Sequence, residues 1–237
     1  MAAELRVFPD ARALGEALAD EILARYERSD DRFLLGCPGG RSLRPTYDTL
    51  ARRGARLDRL VVVMMDEYVG APPDAHFSCT RFAREEIARP LALRDDQVWL
   101  PHPDDPEAYD RRIDEAGGID LFLLASGASD GHVAFLPPGS PRDGRTAVVP
   151  LATTTRRDNL VTFPLFGSLE EVPLHGVSVG LATIAGARAA RLVLTGADKR
   201  EAARRLLALD GFDPMWPASI VHELDDGEIW IDEEAKP

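Results

Sequence analysis

Leu60-Val61-Val62-Val63-Met64-Met65-Asp66-Glu67-Tyr68-Val69-Gly70 is the stretch that decides the fold class. Residues 60–65 are apolar without a break, and three of them are β-branched valines. A strand with one face in water alternates polar and apolar residues. An unbroken run is what a strand covered on both faces requires. Four further runs read the same way: 33–35, 119–124, 177–179 and 192–194. Amphipathic, helix-like segments lie between them at 11–27, 46–53, 79–88, 106–116 and 199–209. Strands alternating with helices predict an α/β fold: a mostly parallel open sheet with helices on both faces, Rossmann-like and three-layered. Residues 219–221 and 227–231 read as one or two closing strands.

The chain has 237 residues, which predicts one domain over residues 1–237. Lys and Arg number 28 against 40 Asp and Glu, a formal charge of −12. That balance repels a phosphate backbone, so no nucleic-acid partner is expected, although a local site can still be positive. No run approaches the length of a membrane span, so no membrane partner is expected. Residues 1–6 carry no apolar signal core, which leaves the cytoplasm as the expected location. Two cysteines, Cys37 and Cys79, make neither a disulfide framework nor a four-ligand metal site.

In an open α/β sheet, ligands bind beyond the carboxyl ends of the strands. Four segments there carry chemistry. Cys37-Pro38-Gly39-Gly40-Arg41-Ser42 pairs two glycines, which let backbone N–H groups approach a ligand, with the start of a helix. It reads as a phosphate cradle or as a plain tight turn. Asp66-Glu67 places two carboxylates on opposite sides of an extended chain, so they share no proton. Asp66 facing a site is a candidate general base; an acidic helix cap is the competing reading. Ser129-Asp130-Gly131-His132 presents a histidine on a turn, with Asp130 able to orient it. A partly buried polar histidine is the alternative. Thr195-Gly196-Ala197-Asp198-Lys199 puts a lysine where it opposes a helix dipole, a placement that a bound anion would explain. His76, His102, His175 and His222 are scattered without ligand spacing, so no metal is expected.

These motifs together resemble the glucosamine-6-phosphate deaminase/6-phosphogluconolactonase superfamily, over residues 30–232. Pro38-Gly39-Gly40-Arg41-Ser42 is similar to the phosphate loop of both branches. Met65-Asp66-Glu67-Tyr68-Val69-Gly70, Ser129-Asp130-Gly131-His132-Val133-Ala134-Phe135, Val179-Gly180-Leu181-Ala182-Thr183-Ile184 and Met215-Trp216 resemble the deaminases. Leu136-Pro137-Pro138-Gly139 and the segments 217–219 and 227–233 resemble the lactonases. Pro137 stands where a deaminase has a glutamate that helps orient the histidine. Glu170 and Glu171 are candidates to replace that glutamate. Near Val161 a phosphate-binding arginine is absent, and Arg156 or Arg157 is the candidate substitute.

The resemblance implies an acid–base enzyme, without a cofactor, acting on a small sugar 6-phosphate. The leading expectation is an aminosugar-6-phosphate deaminase/isomerase. In it Asp66 moves the proton between C2 and C1, and His132 supported by Asp130 opens the ring. Gly39, Gly40, Arg41, Ser42 and Lys199 bind the phosphate. The alternative is a 6-phosphogluconolactonase-type hydrolase in which His132 activates water; the third reading is a non-catalytic sugar-phosphate binder. A homo-oligomer is left open. Pro137, Pro138 and Pro141 predict a stiff, preset loop that reads ligand shape.

Overall fold

The computed structural model describes residues 2–237. The chain runs β1 (Glu4–Phe8), α1 (Ala11–Arg28), β2 (Phe33–Cys37), α2 (Arg44–Arg53), β3 (Leu60–Met64), β4 (Asp66–Tyr68) and α3 (Cys79–Phe82). It continues through β5 (Val98–Trp99), α4 (Pro106–Glu115), β6 (Leu121–Ala125), β7 (Ala147–Pro150) and α5 (Thr153–Thr162). The last elements are β8 (His175–Ser178), α6 (Leu181–Ala185), β9 (Ala190–Leu194), α7 (Arg200–Leu207) and β10 (Gly227–Asp232). Seven strands form one sheet in the order β1-β10-β9-β6-β2-β3-β5. Every pairing in it is parallel.

The unbroken apolar runs are explained by the two cores they separate. Leu34, Val61 and Val63 point to one face, where Tyr109 and Ile113 of α4, Ile184 of α6 and Leu206 of α7 pack. Leu35, Leu60, Val62 and Met64 point to the other, against Leu18 and Ile22 of α1, Tyr47 of α2 and Phe82 of α3. Successive residues therefore serve opposite cores, and neither face tolerates a polar side chain. Helix starts follow local chemistry. Asp10 accepts the N–H of Ala13 at 2.7 Å ahead of α1, and Asp105 that of Ala108 at 3.1 Å ahead of Pro106 and α4.

Four expectations are corrected. The run 177–179 lies largely in β8, which belongs not to the parallel sheet but to a three-stranded antiparallel sheet, β4-β8-β7. A short buried run fits either setting, so periodicity could not choose. Residues 219–221 lie in a 3₁₀ helix, Pro217–Glu223, rather than a strand; Pro217 starts it. β10 is real but does not close the sheet, because β1 pairs along its outer edge. β1 is mostly exposed and gave no apolar run to find. The helix expected at 79–88 forms as α3 followed by a π-helical turn, Ala83–Ala88.

A buried cation lies within this largely apolar framework. Arg191, second in β9, is 2% exposed. Its guanidinium donates to Glu21 of α1 at 2.6 and 3.1 Å and to the Asp226 carboxylate at 2.9 Å. Glu228 of β10 lies at 3.4 Å. This cluster ties α1 to the amino-terminal ends of β9 and β10. Removing the cation leaves carboxylates uncompensated. Arg191→Met is expected to destabilise the chain by about 3 kcal/mol, whereas Leu5→Thr on exposed β1 should change stability by less than about 0.5 kcal/mol. Urea unfolding of the two variants checks both values.

Candidate active site

The chain moves outward from β2 through β3 to β5, then returns to the other side of β2 with β6. Where the direction reverses, the loops leaving β2 and β6 part and open a crevice at the carboxyl ends of the strands. A cavity of about 410 Å³ lies there. Gly39, Gly40, Arg41, Ser42, Asp66, His132 and Lys199 all line it. Segments separated by more than a hundred residues thus converge on one space. Asp130 stands behind His132 rather than on the wall.

Asp66 and Glu67 separate as the strand pleat requires. Asp66 lines the cavity and is 6% exposed. Glu67 turns the other way and accepts from Ser78 Oγ at 2.9 Å, from the N–H groups of Cys79 at 3.1 Å and Thr80 at 2.7 Å, and from Thr80 Oγ1 at 2.7 Å. The helix-cap reading fits Glu67, which caps α3, and Asp66 faces the cavity. Burial pushes the Asp66 carboxyl up to about 7, a bond from Cys79 and the charge of His132 pull it down, and the Glu67 charge adds to the rise. A carboxyl poised near neutrality both takes and returns a proton.

The His132 imidazole Nδ1 lies 2.8 Å from Asp130 Oδ1, which also accepts the His132 backbone N–H at 3.1 Å. Burial acts to raise the Asp130 carboxyl, but the hydrogen bonds and charge of His132 and the Thr154 hydroxyl outweigh it. Asp130 is held well below the usual carboxylate range and stays an anion beside the ring. The turn needs its glycines. A Cβ on Gly131, at φ +67°, would sit 2.2 Å from the Trp216 ring, and one on Gly127 would sit 2.2 Å from His132 Nδ1. Trp216, exposed by no more than 3%, is therefore the floor under the histidine turn.

The loop after β2 offers open donors. Among the described residues, the backbone N–H groups of Gly39, Gly40, Arg41 and Ser42 find no acceptor in the protein. Gly40 takes φ +96°, a backbone conformation that favours glycine. Arg41 lies at the rim, 3.8 Å from Asp198. Lys199 stands at the amino-terminal end of α7 and donates from Nζ to the Ser126 carbonyl at 2.8 Å. Burial lowers its ammonium, with Asp198 and Asp158 acting the other way. Two cations, Arg41 and Lys199, thus meet Asp198 and Asp158 at one corner of the cavity, in a protein of net charge −12.

Several lining residues gave no sequence signal. Helix α5 went unread because Thr153–Thr162 is almost wholly polar, yet it walls the cavity with Thr155, Asp158, Asn159 and Thr162. Asp158 Oδ2 lies 4.0 Å from His132 Nδ1, so the second carboxylate near the histidine comes from α5 and not from Glu170 or Glu171. Glu171 instead accepts the Gly167 N–H at 2.9 Å. Arg156 is not a phosphate ligand either: its guanidinium binds the Leu169 and Val172 carbonyls. Arg157 is exposed outside the cavity wall. The Pro137 loop is pinned, with Gly139 N–H on the Pro214 carbonyl at 2.8 Å and the Ser140 hydroxyl on the Pro137 carbonyl at 2.7 Å. None of residues 136–141 lines the cavity, so this loop does not shape the ligand space.

The family described as glucosamine-6-phosphate isomerases/6-phosphogluconolactonase matches residues 9–230. A glucosamine-6-phosphate deaminase of Arthrobacter sp. (strain FB24) is 37% identical over 213 residues, 85% of this chain and 79% of the relative. One from Beutenbergia cavernae is 34% identical over 239 residues, 97% and 90% of the two chains. The solved structure of a monomeric glucosamine-6-phosphate deaminase superposes with a TM-score of 0.90 at 27% identity, over 98% of each chain. A 6-phosphogluconolactonase from Trypanosoma cruzi superposes at 0.76 with 18% identity, over 99% and 97%, a likeness of fold. Matched over most of its length in sequence and in fold, the chain belongs to the glucosamine-6-phosphate isomerase/6-phosphogluconolactonase family.

Proposed function

We propose that this chain is an aminosugar-6-phosphate deaminase/isomerase. The observation that carries the reading is that a buried carboxylate, Asp66, shares one cavity with His132 and four unpaired amides; burial pushes that carboxyl up to about 7. The relatives named glucosamine-6-phosphate deaminase support it. The phosphate sits on the amides of Gly39, Gly40, Arg41 and Ser42, with Arg41 and Lys199 supplying charge. His132, held by anionic Asp130, passes a proton to the ring oxygen and opens the sugar to its aldehyde. Asp66 takes the proton from C2, which the adjoining carbonyl acidifies, and returns it to C1, while the carbonyl oxygen gains the proton that the C2 ammonium gives up and becomes the C1 hydroxyl. The C2 iminium so formed adds water and releases ammonia, leaving a ketose phosphate. Residues 39–42, 66, 130, 132 and 199 do this without a further group.

A lactone hydrolase is the second reading, favoured by Leu136-Pro137-Pro138-Gly139. It uses His132 and Asp130 on water and gives Asp66 no proton to move. Incubation with glucosamine 6-phosphate and with 6-phosphogluconolactone, following ammonia and acid release, separates the two. Asp66→Asn should lower ammonia release by about 10²–10⁴-fold and leave inorganic-phosphate binding unchanged. Unimpaired ammonia release by this variant overturns the leading reading; a lactonase unaffected by it, with no ammonia formed by wild type, establishes the second.

The same variant tests the electrostatics. Folding raises the Asp66 carboxyl from 3.8 to about 7, so the folded chain holds this proton more tightly than the unfolded chain. Stability therefore falls as pH rises through that window and stays reduced above it. Asp66→Asn should be more stable than wild type at pH 8 by about 1–3 kcal/mol, with the gain gone at pH 4. Thermal melts at the two pH values check this.

A further inference from the structure

We propose that Cys79 is a positioning residue for the reaction: its thiol donates to Asp66 Oδ1 and fixes the carboxylate that moves the proton. The inference rests on the reading of Asp66 as the base. Cys79 Sγ lies 3.2 Å from Asp66 Oδ1, and both residues line the cavity. Cys79 is 5% exposed and forms no disulfide. Its position is not incidental to the carboxylate pair. Glu67, on the opposite side of β4, takes the N–H groups of Cys79 and Thr80. One carboxylate therefore anchors the helix whose first side chain returns to hold the other.

The thiol remains a donor across neutral pH. Burial, then the charges of Asp66 and Glu67, push Cys79 well above its ordinary value, so it does not ionise beside the carboxylate. A thiol donates weakly and carries no charge. It restrains Asp66 Oδ1 without neutralising the base, as a lysine or arginine would. The groups acting on Asp66 are few. Glu67 adjoins it on β4, His132 acts from the turn after β6, and Cys79 acts from α3. The phenols of Tyr68 and Tyr109 feel its charge and are themselves raised far above neutrality by burial. Of these, Cys79 is the one hydrogen-bonded to the Asp66 side chain.

The test uses the full chain as wild type, Cys79→Ala and Cys79→Ser. Two readouts are taken: the titration of Asp66 by ¹³C NMR of carboxyl-labelled aspartate, and the pH profile of kcat/KM for ammonia release from glucosamine 6-phosphate. Loss of the donor in Cys79→Ala should raise the Asp66 titration by about 0.5–1 pH unit. The acid limb of the profile should move with it, giving about three- to eightfold lower activity at pH 6.5 and near wild-type activity at pH 9. Cys79→Ser keeps a donor and should return the limb to the wild-type position or below. A titration within about 0.2 unit of wild type in the alanine variant, or an equal loss of activity at every pH, overturns the proposal. If the titration moves while no ammonia is formed even by wild type, the positioning contact stands and the assigned reaction falls. If ammonia forms and the titration does not move, the reverse holds.

Discussion

The pleat of β4 divides Asp66 from Glu67, and the arrangement of the site follows from that division. β3 ends at Met64 and β4 begins two residues later, leaving the parallel sheet to pair antiparallel with β8. The change of sheet brings Asp66 to the cavity wall at the carboxyl end of β3. The same step sends Glu67 into the first turn of α3, where it is bonded to three residues. A loop could have carried an aspartate to this place, but not held it there. Strand pairing on one side and a capped helix on the other leave Asp66 little freedom, and its burial follows from both.

Burial gives the site its electrostatic contrast. Of the carboxyl groups on or behind the cavity, two have opposite tendencies. Asp66 is lifted by desolvation toward neutrality, and Asp130 is kept ionised by His132 and Thr154. Pairs of titratable groups driven apart in this way are what acid–base chemistry at a single pH requires. The phosphate corner adds the third element. Lys199 and Arg41 counter a chain that is strongly negative overall, and the field they make is local enough to hold one small anion.

The sequence was legible where burial left a pattern. Five apolar runs located four strands of the parallel sheet and β8, and the residues following β2, β3, β6 and β9 turned out to line the cavity or to stand just behind it. What escaped had no such pattern. β1 alternates weakly on an exposed edge. Helix α5 carries Thr, Arg, Asp and Asn because it faces the open cavity rather than a core, so the feature that places it at the site is the one that hid it. Cys79 was visible as an isolated cysteine, and only the fold brings it 3.2 Å from a carboxylate thirteen positions earlier. Sheet membership of β8 depended on pairing partners far away in the chain, which no local reading supplies.

The motifs divide between two chemistries, and the burial of Asp66 bears on that division. A lactone hydrolase requires His132, Asp130 and the phosphate corner, all of which this chain has. Nothing in that chemistry calls for a carboxyl group sealed to 6% exposure and lifted to about 7. Such a group destabilises the folded chain above neutral pH. An asparagine in its place would keep a side-chain oxygen for Cys79 without that cost. Proton transfer between adjacent carbons does call for it, because the base must accept a proton from C2, hold it away from water and deliver it to C1. The Pro137 loop, the most lactonase-like segment, lies off the cavity wall. That departure falls outside the space where the sugar would sit, whereas Val161, where the arginine is missing, lines the cavity together with the deaminase-like Asp66 and His132.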